Sequence, residues 1–449
     1  MINGQKYECS MEIKREIMSA LLQWKQRPDR KPLIIQGARQ IGKTWIMRKF
    51  GEEHFDYVAY FNFDASEELC REFEKTKNPG RLIDILRLYT EQPIEAGRTL
   101  IIFDEIQQSN KALNSLKYFC EDAPAYHILA AGSLLGVSLS QGDSFPVGKV
   151  DFLRMYPVTF REFLHIDALP MYEYLENLTE IAPLPEIVMG RTGEAYRRYQ
   201  VCGGMPAAAT AMLEKRGVQE IEEIQKSILT AYSLDFAKHA PGKDIPRIAA
   251  IWNSIPSQLA KENRKFVYKL VKTGARAREY EDGLLWLEHA GMIYRIFCSS
   301  KPGLPLSAYD DLAAFKIYLC DNGLLRAMAQ LPADVLWSES TLYTEFKGAM
   351  AENTVLQSLT AHFDVLPRYW TSEATAEVDF LLQDHAALLP VEVKSGTRLT
   401  GKSLGVYINR FHPELALRYS MNNLKRDGTI LNIPIFLADW TEQLLRLSK

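Results

Sequence analysis

Glycine, lysine and threonine near the start of the chain form a phosphate-binding pattern directly after the apolar run Leu33–Ile35. Glycines at this spacing let the backbone curl so that successive N–H groups face an anion, and the helix that follows presents its positive N-terminus. We predict a P-loop in which Lys43 contacts the β- and γ-phosphates of ATP and Thr44 binds Mg²⁺. The predicted nucleotide-binding residues of the loop are Gly37, Ala38, Arg39, Gln40, Ile41, Gly42, Lys43 and Thr44.

Two adjacent carboxylates follow a buried strand about sixty residues after this loop. The largely apolar run Thr99–Phe103 ends in Asp104 and Glu105. We predict that Asp104 holds Mg²⁺ and that Glu105 activates the water that attacks the γ-phosphate. A third buried strand, His127–Ala131, ends close to Ser133, which is predicted to contact the γ-phosphate. Acids at strand ends are otherwise ordinary turn residues, but the P-loop before them favours hydrolysis.

The C-terminal third carries a second set of charged residues on two strands with alternating polarity. In Ala376–Leu382 the acids alternate with apolar residues, and in Ala387–Lys394 Glu392 and Lys394 alternate with leucine and valine. Pairing the two strands as a hairpin would bring Asp379, Glu392 and Lys394 together. This D…E-x-K grouping is typical of metal-dependent nucleases, where two carboxylates hold Mg²⁺ and a lysine acts near the attacking water.

Glu352 is a fourth candidate for this catalytic group. It shares a helical stripe with Val355, Leu356 and Leu359, which predicts that its carboxylate points into the protein. A buried carboxylate without a partner costs several kcal/mol, which favours a metal or a basic partner. Two other interpretations stay open. Glu352 could complement the dipole in a first helical turn, and Glu392 with Lys394 could form a surface ion pair.

Composition indicates a large globular enzyme. The chain of 449 residues is long enough for two to four domains, and 47% of its residues are hydrophobic. Its six cysteines lie far apart without a C-x-x-C pair, which argues against a disulfide framework or a zinc site. The polar first thirty residues and the lack of a long apolar run predict a cytoplasmic protein that does not cross a membrane.

Apolar patterning predicts an α/β core followed by a mostly helical region. Strands are predicted at Pro32–Gln36, Tyr57–Asp64, Leu100–Asp104 and Tyr126–Ala131, with helical spacing between them, which indicates a parallel sheet. From Phe160 to about His239 the pattern turns helical, and we interpret this region as a lid or connector.

The segment Lys261–Arg278 is the most basic window of the chain. A helical stretch, Tyr280–Ala290, and a strand-like segment, Met292–Phe297, follow it in the order of a winged helix. Because the net charge of the whole chain is −3, nucleic-acid binding would depend on such a local patch. DNA is the expected partner, although a solvated helical face or an intramolecular phosphate contact would also explain the charges. The charged residues of the window are Lys261, Glu262, Arg264, Lys265, Lys269, Lys272, Arg276 and Arg278.

These motifs together resemble prokaryotic AAA-type ATPases, of a STAND-like or archaeal-type branch, that carry a C-terminal PD-(D/E)xK nuclease-like domain of uncharacterised function. The resemblance covers nearly the whole chain. Besides the loop, it rests on the segments Ile101–Gln107, Ala131–Ser133, Met155–Phe163, Gly203–Pro206, Lys316–Leu325 and Val391–Ser395.

The resemblance implies a four-part chain. Its parts are a P-loop ATPase core at residues 1–159, a helical lid at 160–240, a winged helix at 241–335 and an α/β restriction-endonuclease-like domain at 336–449. It also implies that Arg154 or Arg161 acts as an arginine finger on the γ-phosphate, in cis or from a neighbouring subunit. A homo-oligomer fits the second arrangement, because AAA-type cores often form rings, whereas STAND-like proteins can stay monomeric.

The expected function is therefore Mg²⁺-dependent ATP hydrolysis coupled to nucleic-acid binding, with DNA cleavage through Glu352, Asp379, Glu392 and Lys394. The main alternative is an ATP-dependent regulatory scaffold whose nuclease-like domain is catalytically inactive. A small-molecule kinase would share the P-loop but would leave the C-terminal residues and the basic window unexplained.

Overall fold

The computed structural model describes residues 12–132, 146–261, 265–337, 344–372, 376–399 and 402–448. The chain divides into two compact units. The N-terminal unit comprises Arg15–Tyr156 and the short segment His289–Met292. The C-terminal unit comprises Pro157–Glu288 and Ile293–Lys449, together with residues 12–14. The domain boundaries predicted at residues 240 and 335 both lie within the C-terminal unit.

The N-terminal unit is built around a parallel sheet. Among the described residues, five strands lie in the order β2-β3-β4-β1-β5. These strands are β1 (Leu33–Gln36), β2 (Tyr57–Asn62), β3 (Thr99–Asp104), β4 (His127–Ala131) and β5 (Asp151–Arg154). The helices are α1 (Ile17–Gln26), α2 (Lys43–His54), α3 (Glu67–Lys75), α4 (Pro79–Leu88) and α5 (Asn110–Asp122).

The four predicted strands and the α/β class are confirmed, whereas β5 was not predicted. Every residue of β3 and β4 is buried, which produces the continuous apolar runs visible in the sequence. In contrast, β5 alternates half-buried and exposed residues, and it pairs with β1 at the edge of the described sheet. Its short, polar sequence therefore gives no strong strand signal.

The C-terminal unit begins with helices and ends with a mixed sheet. Its helices are α6 (Phe160–Asp167), α7 (Leu169–Glu176), α8 (Glu186–Cys202), α9 (Pro206–Leu213), α10 (Val218–His239), α11 (Ile245–Leu259), α12 (Tyr268–Val271), α13 (Ala277–His289), α14 (Asn322–Met328), α15 (Ala333–Trp337), α16 (Thr344–His362), α17 (Ser403–Phe411) and α18 (Thr441–Leu447). Its strands are β6 (Ile293–Ser299), β7 (Asp310–Leu319), β8 (Arg368–Thr371), β9 (Glu377–Asp384), β10 (Ala387–Val393), β11 (Ala416–Ser420), β12 (Lys425–Asp427) and β13 (Ile430–Pro434).

The described strands of this unit form one eight-stranded sheet in the order β12-β13-β11-β10-β9-β8-β6-β7. The predicted hairpin is present, because β9 and β10 pair antiparallel with Val391 opposite Phe380. The predicted strand-like segment Met292–Phe297 corresponds to β6, which pairs antiparallel with β7, but Cys298 of β6 pairs with Tyr369 of β8. The ribbon therefore continues the C-terminal sheet, whereas the wing of an isolated winged helix would project from its own domain.

Two glycine-containing sequence motifs meet inside the C-terminal unit. The backbone N–H groups of Gly204 and Leu324 donate to the buried carboxylate of Asp321, at 2.5 and 2.8 Å. Burial raises the pKa of Asp321 to about 6, while these N–H donors act in the opposite direction. The Gly203–Pro206 and Asp321–Leu324 motifs therefore stabilise the contact between α8, α9 and α14.

None of the described helices is both long enough and apolar enough to span a lipid bilayer.

Candidate functional site

The P-loop lies between β1 and α2, as predicted. Gly42 has a left-handed conformation (φ 93°) immediately before α2 begins at Lys43. Gly37 also has positive φ (147°), and a Cβ atom there would collide with the carbonyl oxygen of Met155. Met155 follows β5, and its N–H donates to Gln36 O at 2.8 Å. The loop thus needs glycine for conformation and for close packing.

Lys43 is buried within the loop. Its ammonium group donates to the carbonyl oxygens of Gly37 and Ala38, at 2.9 and 2.7 Å. Burial lowers the pKa of Lys43 to about 8, although the charges of Glu105 and Asp104 raise it. The lysine is therefore close to two carboxylates and is bonded to neutral carbonyl groups, which an anionic phosphate could replace as its partner.

Asp104 and Thr44 are brought together at the C-terminal end of β3. The Thr44 hydroxyl donates to Asp104 Oδ2 at 2.6 Å, and the Tyr60 hydroxyl donates to the same oxygen at 2.9 Å. Tyr60 comes from the neighbouring strand β2, and the Arg48 guanidinium lies 3.8 Å from its ring centroid. Carboxylate and hydroxyl oxygens are hard donors, so the chemistry of this pair fits Mg²⁺.

Glu105 has a left-handed backbone conformation, with φ of 50°. Such a conformation in a residue other than glycine costs on the order of 1–3 kcal/mol and is often found at functional sites. The Gln107 side chain donates to Glu105 Oε2, which holds the carboxylate at the start of a short 3₁₀ turn, Ile106–Gln108. Ser133, the predicted γ-phosphate contact of this site, lies outside the described residues.

Two contacts of the P-loop were not predicted from the sequence. Arg15 donates to the carbonyl oxygens of Ile41 and Tyr156, at 3.1 and 2.6 Å. The segment His289–Met292, far along the chain, lies against the loop, since a Cβ atom on Gly291 would be 3.1 Å from the Ala38 nitrogen. A lone arginine and a lone glycine carry no recognisable motif, and only the fold identifies their role.

The two candidate arginine fingers have different surroundings. Arg154 ends β5, and its backbone pairs with Gln36 directly before the P-loop; its side chain is exposed. Arg161 lies on α6 of the C-terminal unit, where two of its nitrogens contact Glu176, at 2.8 and 2.6 Å. Contact of Arg161 with a phosphate would require this ion pair to break, whereas Arg154 has no such ion pair among the described residues.

The C-terminal hairpin places its three predicted residues near one another, but their charges already have partners. Arg418 of β11 donates to Glu392 Oε2 at 2.8 Å, and the Lys394 ammonium is 3.3 Å from Glu392 Oε1. Asp379 accepts a hydrogen bond of 2.7 Å from the backbone N–H of Val393. Glu392 is only 4% exposed whereas the Lys394 side chain is 28% exposed, so their ion pair is half-buried and lies at the edge of the protein interior.

Glu352 is buried, as its helical stripe predicted, but it lies well inside α16 and not in the first turn. The Tyr318 hydroxyl donates to Glu352 Oε2 at 2.8 Å, so this carboxylate has a phenolic partner. Two residues before Tyr318 on β7, the fully buried Lys316 pairs with Glu377 of β9. Burial lowers the pKa of the Lys316 ammonium, but three neighbouring groups raise it, and the resulting pKa is above the usual value. These groups are Tyr318, Glu377 and Asp379.

No group of three metal-ligating side chains with suitable geometry occurs within the described ranges. The predicted metal set of the hairpin, Asp379 and Glu392, is therefore not joined by a third described ligand. Lys316 and Arg418 were not predicted from the sequence because they lie on β7 and β11, outside the hairpin. A basic residue on an apolar strand, as in Ala314–Leu319, is the signal that would have identified Lys316.

The basic window forms an exposed surface around α12 and the start of α13. Each of its described basic side chains from 265 onward is solvent-exposed, and none has a carboxylate within 4 Å among the described residues. We call this group the basic surface; it consists of Lys265, Lys269, Lys272, Arg276 and Arg278. The aromatic side chains of the same segment are engaged internally: Phe266 stacks on Phe315 at 5.1 Å between ring centroids. Glu262 and Arg264 of the predicted window lie outside the described residues.

Among solved structures, the chain is similar to the Walker-type ATPase PABY2304 of Pyrococcus abyssi, with a TM-score of 0.45 and 15% identity over 71% of this chain and 96% of that chain. It is also similar to the Aeropyrum pernix ORC1 protein in complex with DNA, with a TM-score of 0.30 and 12% identity over 74% and 97% of the two chains. The Thermotoga maritima RuvB Holliday junction branch migration motor gives a TM-score of 0.28 and 15% identity over 63% and 90%. TM-scores this low do not establish a shared function.

Sequence families match three separate segments, and no curated protein matches the chain. Residues 193–335 and 347–436 match two families described as domains of unknown function, DUF8612 and DUF4143. Residues 29–164, which contain the P-loop, Asp104 and Glu105, match the AAA domain family. The chain therefore carries an AAA domain, which implies nucleotide binding, followed by two domains of unknown function.

Proposed function

We propose that the N-terminal unit binds ATP with Mg²⁺ and hydrolyses it. The observation that carries this proposal is the hydrogen bond of 2.6 Å between Thr44 of the P-loop and Asp104 of β3. It places a hydroxyl and a carboxylate oxygen together next to the buried Lys43, and these are the groups that a metal-bound triphosphate needs.

Each residue has a distinct role in this mechanism. The loop N–H groups and the N-terminus of α2 bind phosphate oxygens, and Lys43 contributes the positive charge. Thr44 and Asp104 would hold Mg²⁺, which would supply positive charge to neutralise the phosphates. Glu105 accepts the proton of the attacking water, and Gln107 orients its carboxylate before the reaction.

The Glu105→Gln variant tests this mechanism. It keeps the side-chain size but cannot accept the proton, so hydrolysis should fall by about 10²–10⁴-fold while ATP still binds. ATP binding is measured by titration and hydrolysis by phosphate release. Wild-type protein that binds no ATP in the presence of Mg²⁺ would exclude the proposal, and unchanged hydrolysis in Glu105→Gln would exclude this role for Glu105.

We further propose that the nucleotide state controls binding of nucleic acid, with DNA as the partner, at the basic surface. Five exposed cations that have no carboxylate partner within the described part of the chain favour phosphate contacts. The internal stacking of Phe266 argues against base stacking by that ring. Contacts with all five would give a salt dependence of log K against log salt with a slope of about −4 to −5. Replacing Lys269 and Lys272 by Ala should make that slope less steep. Replacing Arg71 and Lys75 by Ala is the control, because these exposed cations already pair with Glu67 and Glu72.

For the C-terminal hairpin, the ion pairs of Glu392 favour the regulatory scaffold over the nuclease. Arg418 and Lys394 occupy both carboxylate oxygens that a metal would use. Labelled linear and supercoiled DNA, with Mg²⁺ or Mn²⁺ and with or without ATP, distinguishes the two functions. Cleavage that disappears in Asp379→Ala would establish the nuclease, whereas intact ATP hydrolysis without cleavage supports the scaffold. An ATP effect on DNA binding that Lys43→Ala removes would establish coupling.

A further inference from the structure

Arg15 lies ahead of α1, before the segment that matches the AAA domain, yet it contacts the P-loop directly. Its side chain is buried, with 8% exposure. One guanidinium nitrogen donates to Ile41 O within the loop at 3.1 Å. The other donates to Tyr156 O after β5 at 2.6 Å. Arg15 therefore connects the loop to the chain segment that packs against its first glycine.

The bond to Ile41 O fixes the orientation of the next N–H group. In a planar trans peptide the C=O of one residue and the N–H of the next point in nearly opposite directions. Because Ile41 O points to Arg15, the N–H of Gly42 points away from Arg15. Gly42 has no Cβ, so its backbone can rotate more easily than that of other residue types. The hydrogen bond from Arg15 to Ile41 O restricts this rotation.

The second bond of Arg15 acts on the opposite end of the loop. Tyr156 directly follows Met155, whose N–H bonds Gln36 O and whose carbonyl group packs against Gly37. Holding Tyr156 O therefore holds the backbone that confines the first glycine. One side chain thus contacts the second half of the loop directly and its first half through Met155.

We propose that Arg15 is a positioning residue that orients the Gly42 N–H toward the nucleotide phosphates. This proposal rests on the proposed ATP binding. Arg15 does not contact the nucleotide in this arrangement. A planar guanidinium with two donors can bond both carbonyls at once, which a lysine ammonium reproduces only in part because its geometry is different.

The test measures ATP affinity in wild type, Arg15→Gln and Arg15→Lys. We expect Arg15→Gln to bind ATP about tenfold more weakly, with Arg15→Lys between it and wild type. Arg27→Gln is the matched control, since Arg27 follows α1 in the same unit and pairs with Asp29 and Asp151. The unfolding temperature of each variant is recorded, and Arg15→Lys replaces Arg15→Gln in the comparison if the latter does not fold.

A second readout separates positioning from general stability. In protein labelled with ¹⁵N-glycine, the Gly42 amide signal should shift on ATP binding in wild type and shift less in Arg15→Lys. Wild-type affinity and a wild-type Gly42 shift in both variants would overturn the role of Arg15. Failure of the wild-type protein itself to bind ATP would instead overturn the proposed function, so the two failures are distinguishable.

Discussion

The P-loop and the C-terminal hairpin each combine a lysine with acids at the ends of strands, but their carboxylates have different partners. Asp104 accepts hydrogen bonds from the neutral hydroxyl groups of Thr44 and Tyr60. Glu392 faces two cations, Arg418 and Lys394. The first site keeps negative charge available for a metal, whereas the second has balanced its charge with its own side chains.

This difference shows why a set of residue types does not by itself define a metal site. A buried carboxylate costs free energy unless it is hydrogen-bonded or paired, and either a bound cation or a protein cation can supply the pairing charge. Lysine behaves in a parallel way. Lys43 is bonded to carbonyl groups of its own loop, whereas the ammonium of Lys394 lies against a carboxylate. The partner of each charged group therefore predicts whether a ligand is required.

Removal of Lys43 should have the largest effect in the molecule. Lys43→Ala deletes the buried cation that faces the phosphates, and ATP hydrolysis should fall by at least about 10²–10³-fold. Phosphate release under saturating ATP measures this loss. Lys49→Ala, on the same helix, is the control, because the Lys49 ammonium lies 3.1 Å from the Glu53 carboxylate one helical turn farther along. Equal activity of Lys43→Ala and wild type would remove the distinction between the two sites.

Removal of Glu392 should affect stability and not catalysis. Glu392→Ala leaves Arg418, which is 15% exposed, and Lys394 without their carboxylate, which costs about 3–5 kcal/mol for a buried pair. Urea unfolding measures this change. Asp427→Ala, at the exposed pair with Lys425, should change stability by less than about 1 kcal/mol.

The same comparison can be tested with metal ions. A closed Glu392 site predicts that Mg²⁺ or Mn²⁺ leaves the unfolding of the C-terminal unit unchanged, because a ligand stabilises only the state that binds it. A rise in its unfolding temperature with metal, lost in Asp379→Ala, would show that the hairpin binds metal despite its ion pairs.

Local patterns in the sequence were sufficient for the elements of both sites. The P-loop, the acids after β3 and the β9–β10 hairpin are contiguous motifs with strong periodicity, and the structure has each of them. The partners that decide their chemistry are not contiguous with them. Tyr60, Arg418 and Tyr318 reach the acids from other strands, so their pairing depends on sheet order, which the periodicity of a single strand does not encode.

Sheet order also explains the difference at the predicted wing. The order helix, turn, helix and ribbon is visible in the sequence, but the pairing of Cys298 with Tyr369 joins residues about seventy positions apart. A ribbon with its own helices and a ribbon that extends a larger sheet have the same local pattern. Only the long-range pairing distinguishes them.

The contact of Gly291 with the P-loop offers a smaller perturbation of the first site. Gly291 has φ of 70°, and an added Cβ would lie 3.1 Å from the Ala38 nitrogen. Gly291→Ala should displace the loop and weaken ATP binding by about tenfold, which equals about 1.4 kcal/mol. Gly148→Ala is the matched control, since Gly148 has φ of 72° with no atom within 4 Å of the added Cβ. Both variants carry similar backbone strain, so equal ATP affinity in the two would exclude a role for this contact.

The smallest expected effect is a pH dependence that belongs to the P-loop alone. Burial lowers the pKa of Lys43 to about 8 from its ordinary value of 10.5, and bound phosphate favours the charged form. Above pH 8 the free protein must take up a proton to bind ATP, so affinity should fall roughly eightfold between pH 7.5 and 9.

The stability of the ATP-free unit should move the other way. Lys43 in the unfolded chain keeps its proton to higher pH, so the free energy of unfolding rises as the pH increases through about 8. This added stability is lost as the pH falls through the same value. Calorimetric titration and urea unfolding at matched pH values measure the two trends. Lys43→Arg is the control, because its guanidinium stays charged and should give a flat profile. A flat wild-type profile would mean that the lysine proton is not needed at the phosphates. The neutral carbonyl groups around Lys43 would then fail to explain how this site differs from the ion-paired hairpin.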